Sequence, residues 1–168
     1  MDALRYDNSI TNNVIVTVII PTWNRAETIE KAVYSALEQT MPEIEVLVCD
    51  DGSTDNTREI IHGIQDERLH WIEGPRGGRP AIPRNRGINM ANGEWIAFLD
   101  SDDAWMPEKL ARQLEVAAEK NVKAVCTNAN RFHPEKGIIG SYFKDVREII
   151  TFEDLLKKNY VIDRKSVV

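Results

Sequence analysis

The sequence predicts an α/β domain with a mainly parallel central sheet flanked by helices, and two observations carry that prediction. Val14–Ile20 reads VIVTVII, dominated by β-branched residues and lacking a polar face, which is the pattern of a strand covered on both sides. Runs of this kind alternate with stretches whose apolar residues recur at helical spacing. Strands that alternate with helices in this way build parallel sheets with right-handed crossovers.

Residues 1–13 are polar and without period, so a flexible tail is expected before a domain spanning 14–168. Pro21 is expected to end the first strand. Asn24 with Glu27 three residues later resembles a capping box, and Ile29, Ala32, Val33, Ala36 and Leu37 then mark one face of a helix. Glu45–Cys49 reads as the second strand, Asp50–Ser53 as a loop, and Thr54 as the start of a helix burying Ile60, Ile61 and Ile64. Leu69–Ile72 offers a short third strand. The three glycines and two prolines of GPRGGRP force a loop after it.

Ile82–Ala91 reads as a helix closed by Asn92 and Gly93, and Trp95–Leu99 as the fourth strand. Pro107 suits the first turn of a further helix, in which Leu110, Ala111, Leu114, Ala117 and Ala118 share a face. Lys123–Thr127 reads as a fifth strand, Asn128–Ser141 as a hairpin or loop around Pro134 and Gly137, and Thr151 as the cap of a short helix ending at Leu156.

At 168 residues one domain can bury a core without disulfides or a structural metal. The net charge of −6 argues against a nucleic-acid surface, which needs clustered Lys and Arg. No run reaches the roughly 18 apolar residues of a membrane span, and the start carries neither a basic nor an apolar leader region, so the chain reads as cytoplasmic. Cys49 and Cys126 stand alone inside apolar runs and are expected to be buried free thiols.

Ligands of open α/β sheets bind beyond the carboxyl ends of the strands. This chain places five acids there: Asp50 and Asp51 after the second strand, and Asp100, Asp102 and Asp103 after the fourth. A turn and helix cap would account for Asp50 and Asp51 equally well. One carboxylate suffices for a cap, and Asp100–Asp103 supplies three, which points to a cation. With no His or Cys nearby, hard oxygen ligands favour Mg²⁺ or Mn²⁺ over zinc.

Arg84, near a helix start, suits a carboxylate or a phosphate, whereas Arg86 reads as part of a solvated face. Trp23 suits either the core or a flat wall for a base; Trp71, Trp95 and Trp105 read as core or rim. His62 on a helix, His70 opening a strand and His133 in a loop share no motif with an acid or nucleophile. GxSxG, P-loop and GxGxxG motifs are absent, which removes support for hydrolase, P-loop and dinucleotide chemistry. A phosphoacceptor receiver fits poorly, because its acid pair follows the first strand.

Three stretches, VTVIIPTWNRAETIEKAVYSALEQT, EIEVLVCDDGSTDNT and RNRGINMANGEWIAFLDSDDAWMPEKL, resemble in order and spacing the nucleotide-sugar-binding half of family 2 inverting glycosyltransferases with the GT-A fold, a Rossmann-like sandwich. The likeness runs from about Val16 to about Asn128. It implies that Pro21, Thr22 and Trp23 line the nucleobase pocket, that Asp51 accepts a hydrogen bond from the base and that Arg84 lies near base and diphosphate. Asp100 would hold the ribose, with Ser101 among the nucleotide-sugar contacts, and Asp102, assisted by Asp103, would ligate the metal bridging the diphosphate.

The activity implied is metal-dependent transfer of a sugar from a nucleoside diphosphate, with a UDP-sugar favoured, to a glycan or lipid-linked acceptor hydroxyl with inversion. Such chemistry serves glycan or polysaccharide synthesis, and the full-length protein would work in the cytoplasm, at the inner face of a membrane through peripheral association. The family's general base lies in an acidic motif well beyond the fifth strand, and Asp145, Glu148, Glu153 and Asp154 are spaced like helix-face and capping charges. The chain is therefore expected to stop before its base, beyond Val168, and a nucleotide-sugar-binding module without its own catalysis is the alternative reading.

Overall fold

The computed structural model describes residues 14–133 and 135–141. The expected tail over 1–13 and the helix from Thr151 to Leu156 lie outside them. Four strands, β1 (Val16–Thr22), β2 (Ile44–Asp50), β3 (Leu69–Ile72) and β4 (Trp95–Phe98), form an all-parallel sheet in the order β3-β2-β1-β4. The crossovers carry helices α1 (Ile29–Leu37), α2 (Thr57–Gly63) and α3 (Ala81–Met90), and α4 (Lys109–Lys120) follows β4. A hairpin of β5 (Asn130–His133) and β6 (Gly137–Ser141) stands apart as a second, two-stranded sheet.

The apolar runs become the two central strands because each has a covered face on both sides. Val16, Val18, Ile20, Val46 and Val48 pack with Ile29, Val33 and Leu37 of α1, Ile61 of α2 and Leu110 of α4. On the opposite face Ile19, Leu47, Cys49 and Ile72 form a second cluster. There α3 comes so close that a Cβ on Gly87 would stand 2.7 Å from Ile19 Cγ2 and 2.9 Å from Cys49 Sγ. Gly87 is the contact that lets α3 lie on the sheet.

Several elements depart from the sequence reading. Pro21 lies inside β1 rather than ending it. Thr22 carbonyl accepts the Asp51 N–H across the β2 ladder, so Pro21 presents its missing donor to the other side, past the point where β4 pairs with β1. Asn24 forms no capping box: it takes the left-handed conformation (φ 49°), and α1 begins at Ile29. The second helix begins at Thr57 rather than Thr54, and α3 ends in an extended Ala91 rather than an Asn92–Gly93 cap.

The expected strand Lys123–Thr127 has no regular structure. It lies across a cavity of about 250 Å³ from the residues of β4, with no ladder between them. Cys126 is exposed, against expectation, while Cys49 is buried. His133 ends β5 instead of lying in a loop. The first turn of α4 is capped from afar, since Gln39 accepts the Leu110 N–H at 3.0 Å and donates to Met106 carbonyl at 2.8 Å.

The end of the sheet where β2 and β4 begin holds a buried polar knot. Glu45 accepts from Thr17 Oγ1, from Asn92 N–H at 2.7 Å and from Asn92 Nδ2 at 2.9 Å, and Gly93 N–H donates to Thr17 Oγ1 at 2.9 Å. Three donors satisfy the carboxylate, which is what a side chain as buried as Glu45, only 5% exposed, requires.

Candidate functional site

At the carboxyl ends of β1 and β2 two loops are stitched into one wall. Asn24 N–H donates to Ser53 Oγ at 2.9 Å and Thr54 N–H donates to Asn24 Oδ1 at 2.8 Å. Arg25 N–H donates to Thr57 Oγ1 at 2.9 Å, and Asp55 accepts from Ala26 N–H at 3.1 Å and from Thr57. Asp50 serves this wall alone: its carboxylate accepts from Gly52 N–H, Ser53 N–H and Ser53 Oγ. Of the two readings open for Asp50, the turn is the one the structure shows.

Asp51 faces the other way, into a cavity of about 660 Å³. Its carboxylate accepts from Gly77 N–H at 2.7 Å, from Gly78 N–H at 2.9 Å and from Arg76 Nη1. Burial would raise its pKa, but these amides and the guanidinium outweigh burial and hold it below the ordinary carboxylate range, so it is ionised at neutral pH. Trp23, 43% exposed, stands on the same side, with the Arg76 guanidinium 3.7 Å from its ring centre.

The opposite side of the cavity comes from the turn after β4. Asp100, Asp102 and Asp103 each offer an oxygen, all within 4.8 Å of one another. Arg84, on the first turns of α3, donates to Asp100 at 2.7 Å, and Arg25 approaches Asp102 at 3.9 Å. Thr28 Oγ1, just ahead of α1, donates to the carbonyl of the buried Ser101 at 2.9 Å, which ties this turn to the stitched wall. Hard carboxylate oxygens so close together fit Mg²⁺ or Mn²⁺, and the guanidinium groups offset part of their repulsion.

The structure thus brings Pro21, Thr22, Trp23, Asp51, Arg84, Asp100, Ser101 and Asp102 to one cavity, with the buried Asp103 behind Asp102 in the acidic turn. Arg86, read as solvated, instead packs under the β3–α3 loop and donates to Asp50 carbonyl, and a Cβ on Gly74 would overlap its guanidinium. Sequence reasoning missed Arg25, Arg76 and Arg79, which also line the cavity. For Arg76 and Arg79 the signal was present: basic residues set among glycines immediately after a strand.

Residues 17–162 match the family described as Glycosyl transferase family 2. The Bacillus subtilis protein named "Putative teichuronic acid biosynthesis glycosyltransferase TuaG" is 35% identical over 88% of this chain and 59% of its own length. WfgD of Escherichia coli, named UDP-Glc:alpha-D-GlcNAc-diphosphoundecaprenol beta-1,3-glucosyltransferase, is 34% identical over 87% of this chain and 56% of its own. The chain therefore spans less than two thirds of the length of these curated relatives. The crystal structure of S. aureus TarS 1-349 in complex with UDP-GlcNAc superposes with a TM-score of 0.60 at 30% identity, over 70% of this chain and 38% of that one. The parallel sheet with its acidic turn is a GT-A fold, and this chain belongs to glycosyltransferase family 2.

Proposed function

We propose that the chain carries the donor-binding part of a metal-dependent inverting glycosyltransferase of glycan or polysaccharide synthesis, using a nucleoside-diphosphate sugar. The observation that carries this reading is the pairing, across one cavity, of an aromatic face and a buried carboxylate with a cluster of three carboxylates. Trp23 and Asp51 offer a base a stacking surface and a hydrogen-bond acceptor. Asp100 takes the ribose, and Asp102 with Asp103 holds Mg²⁺ or Mn²⁺.

A divalent cation there acts as a Lewis acid for the charge gathering on the leaving diphosphate, an effect worth several kcal/mol. Arg84 adds a fixed positive charge beside the same position without moving a proton. We assign the base that deprotonates the acceptor hydroxyl to a residue outside those described, since the carboxylates of this cavity serve the nucleotide and the cation. The UDP-sugar named for WfgD and bound by TarS supports a UDP-sugar donor. The lipid-linked acceptor in the name of WfgD supports a lipid-linked acceptor.

Calorimetry with UDP-sugars and GDP-sugars, with and without Mn²⁺, tests the site. Metal-dependent binding is expected, and Asp102→Ala is expected to remove the metal-dependent part, a loss of at least tenfold. Unchanged affinity in Asp102→Ala, or no metal-dependent binding in the parent chain, would sink the reading. Binding with neither donor hydrolysis nor transfer would favour a binding module.

A further inference from the structure

The position that a base would take is held by the chain itself. Arg76 lies flat over Trp23 at 3.7 Å and also donates to Asp51, so one guanidinium covers the aromatic face and engages the buried carboxylate together. The rest of the loop is fitted to this arrangement. Gly77 and Gly78 N–H groups close on the two Asp51 oxygens, and a Cβ on Gly77 would stand 2.5 Å from Ile82 Cδ1. Beneath them Gly52, in the left-handed region at φ 77°, leaves room for the Arg76 backbone, whose nitrogen would be 3.0 Å from a Cβ there.

We propose that Arg76 is a gate on the nucleobase side of the cavity: its guanidinium occupies the Trp23 face and Asp51 until a nucleotide displaces it. The inference rests on the nucleotide-sugar reading of the site. A planar cation with fixed donors imitates what a pyrimidine offers, namely a flat face and N–H groups directed at a carboxylate. A base and Arg76 therefore exclude one another at Trp23. The apparent affinity for a nucleoside is its affinity for the open loop multiplied by the fraction of molecules that are open. Arg76 is 44% exposed, so its departure leaves no buried charge of its own behind, and two amides remain on Asp51.

Uridine is the probe, because it has no phosphate for a displaced guanidinium to meet. Titration followed by NMR at the Trp23 indole is expected to show Arg76→Ala binding uridine about tenfold more tightly than the parent chain. Arg76→Lys, which keeps the charge but loses the planar stack, is expected to fall between them. Without ligand, slow exchange of the Gly77 and Gly78 amides in the parent chain is expected to become faster in Arg76→Ala. Thermal unfolding of both variants checks that they fold. If UDP with Mn²⁺ binds the parent chain but Arg76→Ala shows no gain in uridine binding, whether equal, weaker or undetectable, the gate is overturned and the nucleotide site stands. If no nucleotide binds any variant, both fall.

Discussion

Cys49 and Cys126 have the same chemistry and opposite surroundings. Burial between β2 and α3 pushes the Cys49 thiol up to about 12, the nearby Arg86 charge offsetting this only in part, whereas Cys126 is exposed. The thiolate is the reacting form, so only Cys126 has a reactive path in the folded chain. A disulfide reagent at pH 8 is expected to label one thiol rapidly in the native protein and two in denaturant. Rapid labelling of both before unfolding would show that α3 does not seal the sheet as described. The sequence expected both thiols to be buried and holds for Cys49 alone; it could not show that the run around Cys126 pairs with no strand among the described residues.

At the scale of elements, α4 shows how packing sets a pH dependence. Lys109, on its first turn, lies over Trp105 at 4.1 Å and donates to Gln113 at 2.8 Å, and burial lowers its pKa to about 8. Between pH 8 and the ordinary lysine value the unfolded chain holds a proton that the folded chain has released. Stability from this group therefore rises with pH across that window. Lys109→Met is expected to remove the rise, as seen by comparing urea unfolding of parent and variant at pH 7.5 and pH 10. Equal pH slopes would refute the burial. Capping in α4 was not legible, because the cap comes from Gln39 at the end of α1, 71 residues from Leu110; local motifs such as Asn24 with Glu27 looked sufficient and lost to contacts between loops.

Across the whole molecule, the sheet and the position of the acids were readable because parallel strands buried on both faces leave uninterrupted apolar runs, as in β1 and β2. The division of labour among the five acids was not. Asp50 and Asp51 are adjacent in sequence yet point to different partners, since successive side chains leave a strand on opposite sides. The arginines of the cavity were hidden for a related reason: Arg76 acquires its meaning only when the loop after β3 folds back over the end of β2. The knot around Glu45 has a consequence at this scale. Strand β4 is four residues long and, among the described residues, is paired only with β1, so little within it forbids a slip. A slip of one residue would carry Asp100–Asp103 about 3.3 Å along the sheet and turn them over. By seizing Asn92 and, through Thr17, Gly93, the carboxylate of Glu45 sets the zero mark from which the strand is measured. Glu45→Ala is expected to cost about 2 kcal/mol in urea unfolding, because the buried donors of Thr17 and Asn92 lose their acceptor, and to weaken cation binding at the other end of the sheet, whereas a purely local role would leave metal affinity untouched. The far end of the sheet is the ruler against which the acidic cluster is cut.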